Sequence, residues 1–459
     1  MDLKGLKATV VGIARSGIGA AILLKGKGAQ VYVTDSGMSE SIMKSADTLK
    51  AEGIEVEIGR HSESFVKDKD LIVISPGVTK DSPVIGWANL YRIPVISELE
   101  LGYLFCRGKI IAITGTNGKT TTTSLIGKMI KDSGKPVIVC GNIGTSFCGE
   151  VANITREHYV VLEVSSFQLE YINKFKPYIS VILNLTDNHL DRHKDFSEYK
   201  TMKSKIFLNQ DEGDFIILNY GDPILRNMDI QAPSRKFFYS NENEVEGAFI
   251  KDKDILISMG GKLENVCPTA ATQLKGLHNL DNTMAAILVG KLIGLSNNDI
   301  VKSISSFVPL PHRFQFVDEI GDVEFINDSK ATTVDATLKA LESLDRPAIL
   351  IAGGRDKESD FSVARNTIQQ KVRHLVLIGE AREKIANYMK DIVDIREANS
   401  LEEAVELAYS IANKGEAILL SPMCTSFDMF RDYVERGEMF IKAVKNLKDK
   451  KCARYGSQY

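Results

Sequence analysis

Short, continuous runs of β-branched and aliphatic residues recur along this chain, separated by helix-length segments. They begin with "ATVVGI", "QVYVTD", "VEIG", "LIVISPG" and "PVIS". A strand wetted on one face alternates polar and apolar residues, whereas a run apolar throughout fits a parallel sheet covered on both faces. A second block opens with "KIIAITG" and continues through "PVIVCG", "YVVLEVS", "ISVILNL" and "DFIILN". It then changes character, and "RKFFYS" and "GAFIKDKDILISMGGK" read as short antiparallel strands with a turn at Gly260-Gly261. A third block carries "EFINDS", "AILIAGG", "HLVLIG", "IVDIREA" and "AILLSP". At roughly 150 residues per domain, 459 residues make room for three. Prolines near Pro94 to Glu98 and at Pro309-Leu310-Pro311 bias the backbone away from helix and mark the boundaries. The expected fold class is α/β with domains 1–96, 97–310 and 311–459. The first and last would be Rossmann-like, the middle one a P-loop mononucleotide-binding domain with extra antiparallel strands.

A net charge of −3 gives no electrostatic case for nucleic acid or an anionic membrane. The basic stretch Lys445 to Arg454 reads as a solvated helix end. Cys106, Cys140, Cys148, Cys267, Cys424 and Cys452 are scattered without a C-x-x-C pair, which argues for a reducing compartment. The amino terminus runs into a strand without a long apolar stretch, and no apolar run could span a bilayer. A cytoplasmic monomer with small-molecule partners is the expectation.

"VVGIARSGIGAA" follows one strand and opens a helix, and Asp35 ends the next strand, eighteen residues beyond Gly17. The spacing of Gly12, Ala14 and Gly17 is close to a dinucleotide fingerprint, with Ala14 where a glycine would let a pyrophosphate approach. Helix amino-terminal amides near Ser16 and Gly17 favour an anion. A nicotinamide dinucleotide, a UDP-type nucleotide and a bare tight turn all satisfy this pattern.

"IAITGTNGKTTTT" sits between a strand and a helix start, as a phosphate-binding loop requires, but Ile113 holds the usual first glycine position. Gly115 lies two residues later, so the loop is tighter. Successive amides from Thr116 to Thr120 could line an anion nest, with Gly115, Thr116, Asn117, Gly118, Lys119, Thr120 and Thr121 as candidate ATP-binding residues. Lys119 would neutralise terminal phosphates, and the hydroxyl of Thr120 or Thr121 would reach Mg²⁺. Glu163 ends the strand "YVVLEVS", at the sheet edge where ligands bind. "LNLTDNHLDRH" adds His189, Asp191 and His193, which taken alone read as a wet loop and beside Glu163 read as candidate metal ligands, His189 foremost.

In combination, "ITGTNGKTT", "LEVSSFQL", "LNLTDNHLDRH", "LHNLDN" and "LPHRFQ" resemble the Mur ligase family, over essentially the whole chain. The resemblance implies ATP-dependent joining of a carboxylate to an amine through an acyl phosphate. It also implies two Mg²⁺ ions held by Thr120, Glu163, His189 and a carbamylated lysine, with Lys119, Glu163, His189 and Lys203 catalytic. In "FSEYKTMKSKIF" the match points to Lys203, with Lys205 as the alternative; on sequence alone both would sit on a wet helix face. His278, Asn279 and Asn282 match the adenine segment, and Arg313, Asp328 and Lys330 further nucleotide contacts. Ser16, Asp35, Ser36, Gly77 and Asn142 match positions for a UDP-sugar substrate.

The third domain would choose the amine. "INDSKATTVDA" reads as a helix entry with Asp328 or Ser329 as N-cap. "LSPMCTSFDMFRDYVERGEMF" reads as strand into helix with Ser426 at the helix start, a place suited to a carboxylate. With "AGGRDKESDF" these segments resemble the D-glutamate-adding branch, which implies that Lys330, Thr332, Lys357, Ser426 and Tyr433 surround that amino acid's carboxylates. The implied partners are UDP-N-acetylmuramoyl-L-alanine, D-glutamate and ATP. Rival classes are a nicotinamide-dependent dehydrogenase resting on Gly12 to Asp35 and a non-catalytic ATP-binding switch.

Overall fold

The computed structural model describes residues 3–186, 195–228, 230–274, 276–308, 311–344 and 346–456. Three sheets follow one another along the chain. The first contains β1 (Lys7–Val11), β2 (Gln30–Asp35), β3 (Glu55–Ile58), β4 (Leu71–Ile74) and β5 (Val95–Ser97). Its order is β3-β2-β1-β4-β5 and every pairing is parallel. Strand order therefore reverses between β1 and β4, and a crevice opens there at the carboxyl edge.

The second sheet contains β6 (Lys109–Thr114), β7 (Val137–Gly141), β8 (Tyr159–Glu163), β9 (Ile179–Ile182) and β10 (Phe215–Asn219). It continues with β11 (Arg235–Ser240), β12 (Gly247–Lys251), β13 (Asp254–Met259) and β14 (Lys262–Pro268), in the order β14-β13-β12-β11-β10-β9-β6-β8-β7. "RKFFYS", expected to be antiparallel, is β11 and runs parallel to both neighbours. A helical turn at Pro223–Arg226 lies in the connection that returns the chain for the first of these pairings. The second pairing overlaps over only three residue pairs, so a six-residue link suffices. Antiparallel pairing is confined to β12-β13 and β13-β14, the latter closed by Gly260 and Gly261 at φ +60° and +76°.

These two sheets form one compact unit with a shared apolar core. Phe147 is fully buried in it, and a Cβ on Gly102 would stand 2.5 Å from its ring. Ser97 caps the helix Glu98–Phe105, and buried Glu100 on that helix accepts the backbone N–H groups of Asn173, Lys174 and Phe175 at 3.0, 2.8 and 2.9 Å. A carboxylate that receives three amides ties the helix to the β8–β9 connection.

The second unit holds β15 (Gln315–Ile320), β16 (Val323–Asn327), β17 (Ala348–Gly353), β18 (Val372–Ile378), β19 (Asp394–Glu397) and β20 (Ala417–Leu420). Its order is β15-β16-β20-β17-β18-β19, parallel except for β15. The segment Gln273–Leu280 groups with this unit. The basic end of its last helix is not merely solvated: Lys448 pairs with Asp318 at 2.8 Å and Lys450 with Glu406 at 2.6 Å. Among the described residues no helix is long and apolar enough to cross a membrane.

Candidate active site

β6 delivers the chain into the glycine loop, and the loop is held from below. Asn184, just past β9, accepts the amides of Thr116 (3.0 Å, to its carbonyl) and Asn117 (2.8 Å, to Oδ1), and its Nδ2 donates to the Asn117 carbonyl at 3.2 Å. Two of the amides expected to line an anion nest are therefore spent on Asn184. The turn from Gly118 leads into the helix Lys119–Asp132, and a helix amino terminus of this kind suits an anion. Gly118 has φ +81°, and a Cβ there would stand 2.3 Å from Asn282 Oδ1. Asn282 thus packs beneath the loop and also accepts the Thr122 hydroxyl at 3.2 Å. Lys119 Nζ lies back across the loop, 2.8 Å from the carbonyls of both Gly115 and Thr116.

Lys203 is not on a wet face. It is 2% exposed, with Nζ donating to Thr114 Oγ1 at 3.2 Å and to the Gly115 carbonyl at 3.0 Å. Burial drives its pKa well below the ordinary lysine value; the Lys119 charge adds to this and Glu163 opposes it. Lys205 instead donates to the Glu170 carbonyl at 2.9 Å, so the two candidates face different surroundings.

Glu163, 3% exposed at the end of β8, accepts Asn142 Nδ2 on Oε1 at 2.7 Å. Its Oε2 is buried and has no hydrogen-bond partner among the described residues. A carboxylate oxygen left bare in this way fits a cation. Asn142 is itself fixed, since its amide donates to the Glu163 carbonyl at 2.8 Å and Arg15 donates to the carbonyls of Gly141 (3.2 Å), Asn142 (3.4 Å) and Gly144. The first sheet's glycine-rich turn is thereby connected to Glu163. The described residues contain no group of three or more His, Cys, Asp or Glu side chains that could hold a metal. His189, with Asp191 and His193, lies outside the described residues. A metal here would draw on Glu163, the Thr120 hydroxyl and a modified Lys203.

At the first sheet, Ser16, Asp35, Ser36 and Gly77 gather at the carboxyl edge of β1, β2 and β4. Asp35 is already engaged: Oδ2 accepts the Ile13 amide and Oδ1 the Gly37 amide, each at 2.7 Å. Through these two bonds it shapes the rim of the crevice. A Cβ on Gly17 would stand 1.8 Å from the Gly12 carbonyl oxygen, so glycine is what lets the helix Arg15–Gly26 start so close to β1.

In the second unit four segments are laced together. The His312 carbonyl accepts the Lys330 amide at 3.0 Å, and Asp328 Oδ1 accepts the Phe314 amide at 3.0 Å. Asp328 Oδ2 accepts the Ser421 hydroxyl at 3.1 Å. Burial lifts the Asp328 pKa to about 7 against the lowering pull of these donors and of the Arg313 charge. Thr425 and Arg355 exchange backbone hydrogen bonds at 2.9 and 3.0 Å, bringing the loop of Lys357 alongside Ser426. Lys330 Nζ stands 3.7 Å from the Tyr433 ring centroid, a cation–π contact.

Two local expectations fail. Neither Asp328 nor Ser329 caps the following helix, which is Val334–Glu342 capped by Thr333 through the Ala336 amide at 3.3 Å. Both lie too far upstream, and Asp328 is spent on Phe314 and Ser421. Ser426 is not at a helix start either, because the long helix begins at Tyr433. Ser426 sits in a turn, its carbonyl accepting the Met429 and Phe430 amides at 3.2 and 2.8 Å, so no helix terminus supports a carboxylate there. The adenine segment is divided as well. His278 is held by Ser343 Oγ at 3.1 Å within the second unit, and burial, helped by the Lys339 charge, lowers its pKa to about 4 against Asp335. Asn279 lies in that unit too, whereas Asn282 belongs to the first. Arg15, Asn184 and Arg436 escaped the sequence reading; a glycine following Arg436 inside a helix was the one local signal for the last.

Comparison with known proteins agrees with this architecture. Residues 6–97 match the Mur ligase MurD-like N-terminal domain, 113–290 the Mur ligase middle domain, and 312–424 the Mur ligase glutamate ligase domain. A UDP-N-acetylmuramoylalanine–D-glutamate ligase of Thermoanaerobacter sp. (strain X514) is 42% identical over 98% of this chain and 100% of its own length. A protein of the same name from Koribacter versatilis (strain Ellin345) is 41% identical over 97% of this chain and 99% of its own. Among solved structures, a pseudomurein peptide ligase type C from Methanothermus fervidus shares the fold, with TM-score 0.62, 20% identity, and coverage of 97% of this chain and 100% of that one. The UDP-N-acetylmuramate-alanine ligase of Thermotoga maritima does so with TM-score 0.59, 18% identity, and coverage of 96% and 100%. With three family domains in order and relatives matched from end to end, the chain belongs to the Mur ligase family.

Proposed function

We propose that this chain joins D-glutamate to the L-alanyl carboxylate of UDP-N-acetylmuramoyl-L-alanine, consuming ATP and releasing ADP and phosphate. The observation that carries the choice of amine is the end-to-end likeness to relatives of that name, third domain included. Residues 1–96 hold the UDP substrate through Ser16, Asp35, Ser36 and Gly77, with Asn142 from the next domain. Residues 97–310 handle the phosphates and residues 311–459 the amino acid. Asn279, Asn282, Arg313, Asp328 and Lys330 serve ATP, and Lys330, Thr332, Lys357, Ser426 and Tyr433 the two carboxylates of D-glutamate. The reaction runs in the cytoplasm, on a monomer.

In the first step a carboxylate oxygen attacks the γ-phosphorus and the bond to the β,γ-bridging oxygen breaks, giving an acyl phosphate and ADP. In the second, the neutral amine nitrogen attacks the acyl carbon, the carbon–oxygen bond to phosphate breaks, and the nitrogen gives up one proton and keeps the other as the amide N–H. Lys119 turns from the Gly115 and Thr116 carbonyls to the β- and γ-phosphates. Lys203, whose pKa burial drives down, adds CO₂ as the neutral amine and releases a proton, so that an anion replaces a base near Glu163. Two Mg²⁺ ions held through Thr120, Glu163, carbamylated Lys203 and His189 would neutralise charge on the transferring phosphoryl group and on the tetrahedral intermediate.

The chemistry is tested with heavy oxygen in the alanyl carboxylate. An acyl phosphate carries one labelled oxygen into the released phosphate. Phosphate carrying no label would mean that water took the γ-phosphoryl group instead and would sink the reading.

A further inference from the structure

Arg436 lies on the helix Tyr433–Gly456 and is fully buried. Its Nε donates to Ser329 Oγ at 3.0 Å, and Nη2 to the carbonyls of Ser329 (2.8 Å) and Cys424 (3.2 Å). Nη1 donates to the Thr425 carbonyl at 3.3 Å. All four acceptors are neutral oxygens, although a buried guanidinium is ordinarily matched to a carboxylate. They come from two loops far apart in sequence, Asp328–Thr332 and Pro422–Ser426. Ser329 Oγ also donates to the Tyr433 carbonyl at 2.8 Å, which joins the start of the helix to the same knot. Neighbouring glycines make room: Gly354, at φ +131°, would bring a Cβ 3.2 Å from Arg436 Nη1 and 2.1 Å from the Thr425 carbonyl oxygen. Burial lowers the guanidinium's pKa only to about 10, so it stays charged at neutral pH.

We propose that Arg436 is the positioning residue of the amino-acid subsite, tying the Lys330–Thr332 and Ser426 loops into one surface and placing behind it a fixed positive charge, hydrogen-bonded to no carboxylate, that favours a dicarboxylate. This rests on the assignment of D-glutamate to these loops. A carboxylate and a neutral group differ most in such a field where water is excluded. A loop bearing one set of carboxylate contacts is useful only if held in register with the other.

The test measures steady-state phosphate release by the full chain with ATP, Mg²⁺ and UDP-N-acetylmuramoyl-L-alanine while D-glutamate is varied. Arg436→Met should raise the KM for D-glutamate by about tenfold or more, the size of a lost charged hydrogen-bond set. The KM for the UDP substrate, whose proposed contacts all lie in the first unit, should not move. Arg436→Lys, which keeps the charge but cannot span both loops, should fall between. Partial unfolding alone would lower kcat through the active fraction and leave each KM in place, so that pattern overturns the proposal. If Arg436→Met does not fold, Ser329→Ala removes one acceptor; it should raise the D-glutamate KM about threefold, and an unchanged value overturns the proposal. Wild-type release indifferent to D-glutamate would overturn the parent assignment, whereas D-glutamate-dependent wild type with unaltered KM in the variants would overturn this inference alone.

Discussion

At Lys203 the same side chain reads oppositely in sequence and in space. Three lysines within six positions look like a solvated face, yet burial is selective: Lys203 is 2% exposed while Lys205 turns to the Glu170 carbonyl. A lysine this buried is costly as an ammonium, and burial shifts the balance toward the neutral amine against the pull of Glu163. The neutral amine that remains is the form able to take up CO₂. Lys203→Ala should therefore lower kcat by at least about a hundredfold, comparable to loss of an electrostatic transition-state partner. Millimolar acetate or formate should restore part of it by standing in for the carbamate, measured as phosphate release. Full activity without added carboxylate would discard the carbamate. Sequence alone could identify Glu163 as a sheet-edge carboxylate, but not that one of its oxygens is bare and the other is held by Asn142.

Elements were legible where one face pattern dominates. The runs "ATVVGI", "KIIAITG" and "AILIAGG" became central parallel strands because both of their faces are covered. "QFVDEI" became β15 and was missed, since it pairs only with β16 at the sheet edge and carries charges a run-based reading rejects. The direction of β11 depended on its connections, which composition does not encode. The helix Tyr433–Gly456 shows what a local oddity can signal. Gly437 sits inside it at a helix cost of about 1 kcal/mol relative to alanine. A Cβ there would stand 2.1 Å from His312 Nδ1, and the Gly437 carbonyl accepts Asn327 Nδ2 at 3.2 Å. Gly437→Ala should destabilise the second unit by about 1–3 kcal/mol through overpacking despite its better helix propensity, as read from urea unfolding. A gain in stability would show that the His312 contact does not constrain the helix.

For the whole molecule, three α/β blocks and a P-loop could be read from the order of runs and glycines, because those signals are local. The sites are assembled from segments far apart in the chain. Asn117 meets Asn184 across 67 positions and Arg436 meets Ser329 across 107, with no spacing rule to announce either pair. Position in the fold also gives residues structural contacts that no spacing announces: Asn142 supports Glu163 and Asn282 underpins Gly118, while Ser426 lies in a turn rather than at a helix terminus. The central claim is that this assembly activates an alanyl carboxylate and delivers it to D-glutamate. Its most direct test supplies ATP, Mg²⁺ and UDP-N-acetylmuramoyl-L-alanine, and measures phosphate release with D-glutamate, L-glutamate, L-lysine or meso-diaminopimelate in turn. Release that requires D-glutamate, with a matching D-glutamyl product, is the predicted result; release without an amine, or preference for another of the four, would contradict it.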